Sequence, residues 1–364
     1  MRKNLRIIAA TALFCLWGFA IIHMVMPGFW DELIQKEPRA RESTIHYLIE
    51  DDNVPLAGPV SQNGKGINGW LSIDDGQLVN QMGEPFQLRG LSSHGITWFP
   101  QYLGYASINT TKAYGANVFR VAMYADFDPG NYSLDPNDQE NNKALLYQAV
   151  DNALRADMYA IVDWHIVKTG NPMVRVKAAV TFFDEVSKKY ADEPGVIYEI
   201  CNEPSGGTTW ADIAEYAGQV IPAIRQNSPN AIIIVGTPDH STDLASSIAS
   251  PLPFDKVMYA YHYYFEDGEE GYRKPLDEAA AIRHPVFVSE WGVGHDPNKQ
   301  NVQEEAAKEF VAYLNRQGIS WVNWSLSNKA EPFSAIRNDV EKLSAWTLDD
   351  LTLSGQIVFQ ALGQ

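Results

Sequence analysis

Short apolar runs and longer amphipathic segments alternate along most of the chain. The runs recur at Phe86–Leu91, Asn117–Ala122, Tyr159–Trp164, Val196–Asn202, Ile232–Gly236, Val257–Tyr261, Val286–Ser289 and Trp321–Trp324. Short apolar runs bounded by polar or glycine-rich stretches predict buried strands. The intervals behave differently. "NKALLYQAVDNALRAD" carries Ala144, Leu145, Ala149, Val150 and Leu154 at helical spacing, and "VKAAVTFFDEVSKKYAD" repeats that pattern. "QEEAAKEFVAYLNRQG" does so too and closes on Gly318, a helix-terminating residue. Eight strands alternating with helices over about 280 residues predict an α/β fold, a (β/α)8 barrel, with an open doubly wound sheet as the alternative. Ahead of the first strand, "LSIDDGQLVNQMGEPFQLRG" alternates around two turns, Asp75-Gly76 and Met82-Gly83, and predicts a small hairpin capping the barrel.

The N-terminus has another character. Arg2, Lys3 and Arg6 precede "IIAATALFCLWGFAIIHMVM", Ile7 to Met26. A run of that length spans a bilayer core at about 1.5 Å per residue. Gly18-Phe19-Ala20 offers a cleavage site, but the apolar run continues past it to an interfacial-looking Phe29 and Trp30. A signal-anchor is favoured over a cleaved signal peptide, and both put the rest of the chain outside the cytoplasm. The expected organisation is a signal or membrane segment over residues 1–30, a charged tether over 31–63 and a catalytic barrel over 64–364.

Composition narrows the chemistry. Of the 364 residues, 45% are apolar and 20% charged, enough for a full core. The formal net charge is −17, and no basic stripe runs through the body of the chain. Nucleic acid is therefore excluded as a partner, phosphorylated ligands are disfavoured, and a neutral substrate is expected. Aromatics reach 12%, with 10 Trp and 17 Tyr, and their faces suit flat ligands such as sugar rings. Cys15 and Cys201 are the two cysteines, with no disulfide expected between them. Zinc-type clusters, the P-loop and the dinucleotide fingerprint are absent, so neither a metal nor a cofactor is expected.

The polar residues concentrate where a barrel keeps its chemistry, at the C-terminal ends of strands. Ser92, Ser93 and His94 follow the first; Arg120, with Tyr124 just beyond, belongs to the second; Asp163-Trp164-His165 ends the third. Asn202-Glu203 ends the fourth, His262 and Tyr264 the sixth, Ser289-Glu290-Trp291 the seventh and Trp324 the eighth. Taken singly, each has an ordinary explanation. Glu203 could be a polar terminator, Glu290 a rim partner for an arginine, and each histidine or tryptophan a satisfied core residue. Glu199, in mid-strand, reads as an interior hydrogen-bonding residue. Co-location argues otherwise. Two carboxylates across a barrel mouth, Glu203 and Glu290, suit glycosidic hydrolysis, one as acid and the other as nucleophile or activator of water. Their separation, which decides between retention and inversion, is not readable from sequence. Repulsion between them predicts a proton on Glu203 while Glu290 is ionised.

"LRGLSSHG", "NVFRVAMY", "VDWHI", "YEICNEP", "YHYY", "FVSEWG" and "SWVNWSLSNKAE" follow one another in that order. From about Gly64 to the C-terminus the chain resembles glycoside hydrolase family 5, in particular its bacterial endoglucanase branch, subfamily 2. The resemblance implies a retaining endo-β-1,4-glucanase acting on a β-1,4-glucan as a monomer. A related mannanase or mixed-linkage glucanase is the alternative, and a non-catalytic glucan-binding protein a further one. It implies Glu203 as acid/base, Glu290 as nucleophile, Arg120 and Tyr264 as hydrogen-bond donors to the nucleophile, and Asn202 as the contact to the sugar 2-hydroxyl. His165 and His262 match sugar-contacting histidines. His94, Trp98 and Tyr124 match the donor-side wall, Trp324 the sugar platform, and Lys329 and Glu331 more distant glycone contacts. One departure stands out. The branch commonly reads Gly-Thr-Pro-x-Trp-Ser-Gln after strand five, whereas this chain reads Gly236-Thr237-Pro238-Asp239-His240-Ser241-Thr242. His240 thus occupies the place of an aromatic aglycone platform.

Overall fold

In the computed structural model the described chain opens at Ile67 and soon forms an antiparallel hairpin, β1 (Ser72–Asp74) and β2 (Gln77–Val79). It turns at Asp75 and Gly76, both with left-handed φ (53° and 78°), the pair of dihedrals that matches the twist of two adjacent strands. The residues described are 67–125, 130–132, 135–265, 271–294 and 302–363, and all belong to one compact unit. The expected signal or anchor segment, residues 1–30, and the tether, residues 31–63, lie outside them. Among the described residues no helix is long and apolar enough to cross a membrane.

Eight parallel strands follow: β3 (Arg89–Ser93), β4 (Val118–Tyr124), β5 (Tyr159–His165), β6 (Val196–Glu199), β7 (Ile233–Val235), β8 (Val257–Tyr264), β9 (Val286–Gly292) and β10 (Trp321–Leu326). Each pairs with the next, and β10 pairs with β3, which closes the ring and rules out the open sheet. Helices alternate with the strands: α1 (Tyr105–Ala113), α2 (Pro136–Arg155), α3 (Val176–Lys189), α4 (Trp210–Asn227), α5 (Leu244–Ala249), α6 (Arg273–Ala281), α7 (Glu304–Gln317) and α8 (Leu353–Leu362). Local chemistry sets their ends. Asp135 caps α2 by accepting from the Asn137 amide at 2.8 Å, with Pro136 in the first turn. Thr209 and Asp212 form a reciprocal capping box on α4.

Three expectations shift in detail. The fourth barrel strand ends at Glu199 and not at Asn202, which puts Glu199 at its end and Asn202-Glu203 in the segment that follows. The first barrel strand starts later than Phe86, because the Phe86 amide is taken by the Leu78 carbonyl at 2.9 Å and belongs to the cap. On α2 the buried face runs through Leu145, Leu146, Ala149, Val150 and Ala153, while Ala144 faces solvent. Alanine reads alike on either face of a helix, so the spacing misplaced it.

Alternation along each strand separates two apolar layers. Phe119, Val121 and Met123 of β4 join the layer between strands and helices. Val118, Ile161, Ile197, Ile234 and Phe287 fill the lower barrel interior, sealed from below by Leu71 and Leu78 of the cap region. Above that plug the inward-facing residues turn polar. The apolar lower half lets the upper half be given over to charge. Leu78→Ala is expected to lower the unfolding free energy by about 2–5 kcal/mol in urea denaturation, as for other buried leucines. A loss below about 0.5 kcal/mol, the range of a surface substitution, would show that the cap lies outside the cooperative unit.

Candidate active site

Arg120, carried into the barrel by β4, has no solvent exposure. Its Nε donates to Glu199 Oε2 at 2.6 Å, Nη1 to Glu290 Oε2 at 2.9 Å and Nη2 to Asn202 Oδ1 at 2.6 Å. Nη2 also lies 3.0 Å from Asp163 Oδ2. Burial alone would lower the guanidinium pKa, but the charges of Asp163, Glu199 and Glu290 raise it well above its usual value. Asp163 Oδ2 reaches His165 Nδ1 at 2.7 Å and so fixes that ring. Burial pushes the Asp163 pKa up, against the pull of Arg120 and His165.

A bulge in β9 aims Glu290. Ala260 of β8 is paired with Phe287, yet His262, two residues on, is paired with Glu290, three residues on. The same extra residue shows on the other side, where Trp321 pairs with Val288 and Asn323 with Trp291. Strict alternation would send Ser289 and Glu290 to opposite faces; the extra residue lets both serve the interior. The Tyr264 hydroxyl, at the end of β8, donates to Glu290 Oε1 at 2.7 Å, so each oxygen of Glu290 has its own donor. Gly292 makes room for that tyrosine, since a Cβ there would fall 2.4 Å from its ring.

Glu203 lies four residues past the end of β6 and is held by a separate chain of contacts. His262 Nδ1 is 3.1 Å from Glu203 Oε1, and its Nε2 is 3.1 Å from Ser289 Oγ. The Ser289 hydroxyl donates to Glu199 Oε1 at 2.7 Å. That hydroxyl proton is committed to Glu199, so Ser289 accepts from His262 Nε2–H, leaving Nδ1 as the nitrogen that exchanges a proton with Glu203. Burial opposes charging the imidazole, but nearby Glu199, 3.8 Å from Nε2, the hydrogen-bonded Glu203 and the charge of Glu290 push its pKa up to about 9. Burial acts to raise the Glu203 pKa, yet the hydrogen bond and charge of His262 outweigh it and lower it. His262 Nδ1 thus stands one hydrogen bond from Glu203, close enough to share a proton with it. Glu199 is held at about 2, burial being outweighed by the charge and hydrogen bond of Arg120 and by His262 3.8 Å away.

Ligating atoms of Glu203, His262 and Glu290 all lie within 4.8 Å of one another. These are metal-ligand types, but Glu290 and both His262 nitrogens are already hydrogen-bonded, so a cation would have to displace those partners.

The three groups open into a cleft of about 960 Å³. On its wall the structure brings together His94, Trp98, Tyr124, His165, Trp324 and Phe333. Trp98 and Tyr124 have ring centroids 4.3 Å apart, and His165 stacks on Trp324 at 5.3 Å. Lys329 Nζ lies 3.2 Å from Glu331 Oε2 and 3.3 Å from His94 Nε2, a polar cluster beside that wall. His240 stands on the cleft with Asp239 and Thr242. Arg120 and Asn202 lie behind the wall, Asn202 fully buried with its amide near the Ile166 carbonyl and the His165 ring. Asp163 and Ser289 were not singled out as site residues by sequence. Position was the available signal: Asp163 is two residues before His165 on one strand, and hence on the same face. Tyr261, Tyr263 and Phe333 also line the cleft without having been singled out.

Comparison with known proteins agrees with this geometry. Residues 79–330 match the family Cellulase (glycosyl hydrolase family 5). An endoglucanase of Clostridium saccharobutylicum is 37% identical over 82% of this chain and 66% of its own length. Endoglucanase A of Butyrivibrio fibrisolvens is 39% identical over 81% of this chain and 69% of its own. This chain thus spans about two thirds of the length of those relatives. A variant of the catalytic domain of Thermobifida fusca endoglucanase Cel5A, solved with cellotetraose, superposes with a TM-score of 0.76 at 31% identity, covering 82% of this chain and 98% of that one.

The buried charges predict a pH profile of stability. His262, raised to about 9 from 6.5, stabilises the fold fully below about pH 6.5 and loses that contribution as pH rises through 9. Glu199, lowered to about 2 from 4.5, contributes above about pH 4.5 and loses it as pH falls through 2. The melting temperature should therefore plateau between about pH 4.5 and 6.5, and His262→Gln should flatten the decline on the alkaline side. An unchanged alkaline slope in that variant would show that His262 is not charged in the fold.

Proposed function

Since this chain belongs to glycosyl hydrolase family 5, the cellulase family, we propose that it is a retaining endo-β-1,4-glucanase working by double displacement. The observation that carries the stereochemical part is the spacing of the two carboxylates, whose oxygens come within 4.8 Å. Retaining enzymes hold their carboxyl groups about 5–5.5 Å apart, whereas inverting ones need about 6.5–9.5 Å to admit a water between carboxylate and sugar. The substrate class is supported by the endoglucanase relatives and by the related structure in complex with cellotetraose.

In this reading Glu290 attacks the anomeric carbon as a carboxylate oriented by the hydrogen bonds of Arg120 and Tyr264. Glu203 protonates the departing oxygen, its proton supplied from His262 Nδ1 across the 3.1 Å contact. The glycosyl ester consumes the charge on Glu290. Glu203 then takes a proton from water, which attacks the anomeric carbon and releases the sugar with its configuration retained. Trp324 offers the apolar face beneath the reacting sugar, whereas Asn202, expected as the contact to its 2-hydroxyl, is fully buried behind the wall with its side-chain oxygen taken by Arg120. His94, Trp98, Tyr124, Lys329 and Glu331 serve the glycone sugars. On the strength of the residues in 1–30, the enzyme works outside the cytoplasm, anchored or released, with its barrel acting as a monomer.

Glu290→Ala should abolish hydrolysis of soluble β-1,4-glucan while the melting curve still reports a folded chain. Added azide should restore turnover of an aryl cellobioside and give the α-azide. Wild-type activity in that variant would sink the assignment. Glu203→Ala should lose about 10²–10⁴-fold in kcat/KM on substrates with poor leaving groups and far less on dinitrophenyl substrates. Equal losses on both would remove Glu203 from the acid role. Reducing-sugar release from glucans, mannan and xylan separates this reading from another β-glycanase.

A further inference from the structure

Glu203 divides the cleft. The group that protonates the departing oxygen must lie beside it, so the wall adjoining the Glu203 segment faces the leaving group. That wall includes the turn Pro238–Ser241, which is bound to the acid's own backbone. The His240 amide donates to the Pro204 carbonyl at 2.9 Å, and the Ser241 hydroxyl donates to the Asn202 carbonyl at 2.6 Å. Ser241 is fully buried, and its amide donates to the Thr237 carbonyl at 3.1 Å.

The turn's backbone is unusual. Asp239, His240 and Ser241 have φ of 55°, 58° and 59°, three successive left-handed residues without a glycine. Single residues of the Asp, Asn and His kind visit this region; a run of three persists only when the surroundings over-determine it. Here the hydrogen bonds to Asn202, Pro204 and Thr237 do so. His240 therefore has a fixed base next to the acid, while its side chain, 56% exposed, lines the cleft.

The two walls differ in kind. On the Trp324 side, rings present stacked surfaces. On the Glu203 side, Tyr261 is buried, and Tyr263 packs against Phe265, Tyr272 and Phe310 at 4.9, 5.2 and 5.4 Å. Beside these packed rings, which also border the cleft, this side adds polar groups: His240, Thr242 and Asp239, whose carboxylate lies 3.8 Å from the His240 ring. An imidazole beside a carboxylate supplies a donor and an acceptor in one place, which matches sugar hydroxyls better than a sugar face.

We propose that His240 is the specificity-determining contact for the leaving-group sugar, and that with Asp239 it grips the hydroxyl edge of that sugar by hydrogen bonds, not its flat face by stacking. The inference rests on the endoglucanase reading and adds the mode of aglycone recognition. Its consequence is a preference for glucosyl over aryl leaving groups beyond what their chemical reactivity dictates.

The test compares kcat/KM for cellotetraose and for p-nitrophenyl β-cellobioside, whose aryl aglycone has a flat face and no hydroxyls. His240→Gly removes the contact at a backbone position that glycine adopts without strain. The cellotetraose-to-aryl ratio should fall about three- to tenfold, the size of one net hydrogen bond. His240→Trp should likewise lower the ratio, because a stacking face serves an aryl ring at least as well as a sugar and the hydroxyl-edge contact is gone. Circular dichroism checks that both variants are folded. Ratios within twofold of the unmodified chain in both variants would overturn this inference while leaving the endoglucanase reading intact. An unmodified chain that turns over neither substrate would overturn the endoglucanase reading and this inference with it.

Discussion

One guanidinium, that of Arg120, ties the mouth of the barrel together. It is buried, and carboxylates from β5, β6 and β9 converge on it. Three like charges in a water-excluded space would drive one another to protonate. With the cation between them, Glu199 stays ionised and Glu290 has a charged donor on one oxygen. Truncating a partner of such a cluster strands the remaining buried charges, which costs about 3–5 kcal/mol in comparable buried pairs. The same interaction is thus a bolt across the barrel and the source of its electrostatic poise. Few other residues could do both, since a planar fork of five donors can serve four oxygens from three strands and the segment after β6 at once.

Glu203 is outside the reach of that fork, and this separates the two carboxylates functionally. Glu290 is held by donors that do not give up their protons at working pH. Glu203 is held by His262, a partner that can. Both contacts lead back to Glu199, through Arg120 on one side and through Ser289 and His262 on the other. A carboxylate at the end of β6, buried and absent from the cleft surface, therefore links the groups that hold Glu203 and Glu290.

Much of this was legible in the sequence, for identifiable reasons. Strands of a parallel barrel are buried on both faces, so they stand out as apolar runs, and their polar endings flagged the mouth. The motifs shared with family 5 then attached roles to individual residues. What escaped depends on three-dimensional context. The start of β3 was misjudged because Phe86 is as apolar as a barrel residue but hydrogen-bonds to the cap. The bulge in β9 leaves no compositional trace. The proton-sharing contact of Glu203 follows from the burial of His262 between Glu199 and Glu203, three groups on two strands and a loop that no spacing rule connects.

The β9 bulge also bears on how such a site could be moved to another scaffold. Because adjacent residues, Ser289 and Glu290, both serve the interior, the position of Glu290 is set by a count of backbone residues. A regular strand carrying the same letters would present either the serine or the glutamate, never both. Transplanting this chemistry therefore means grafting a stretch of irregular main chain, with the side chains following from it.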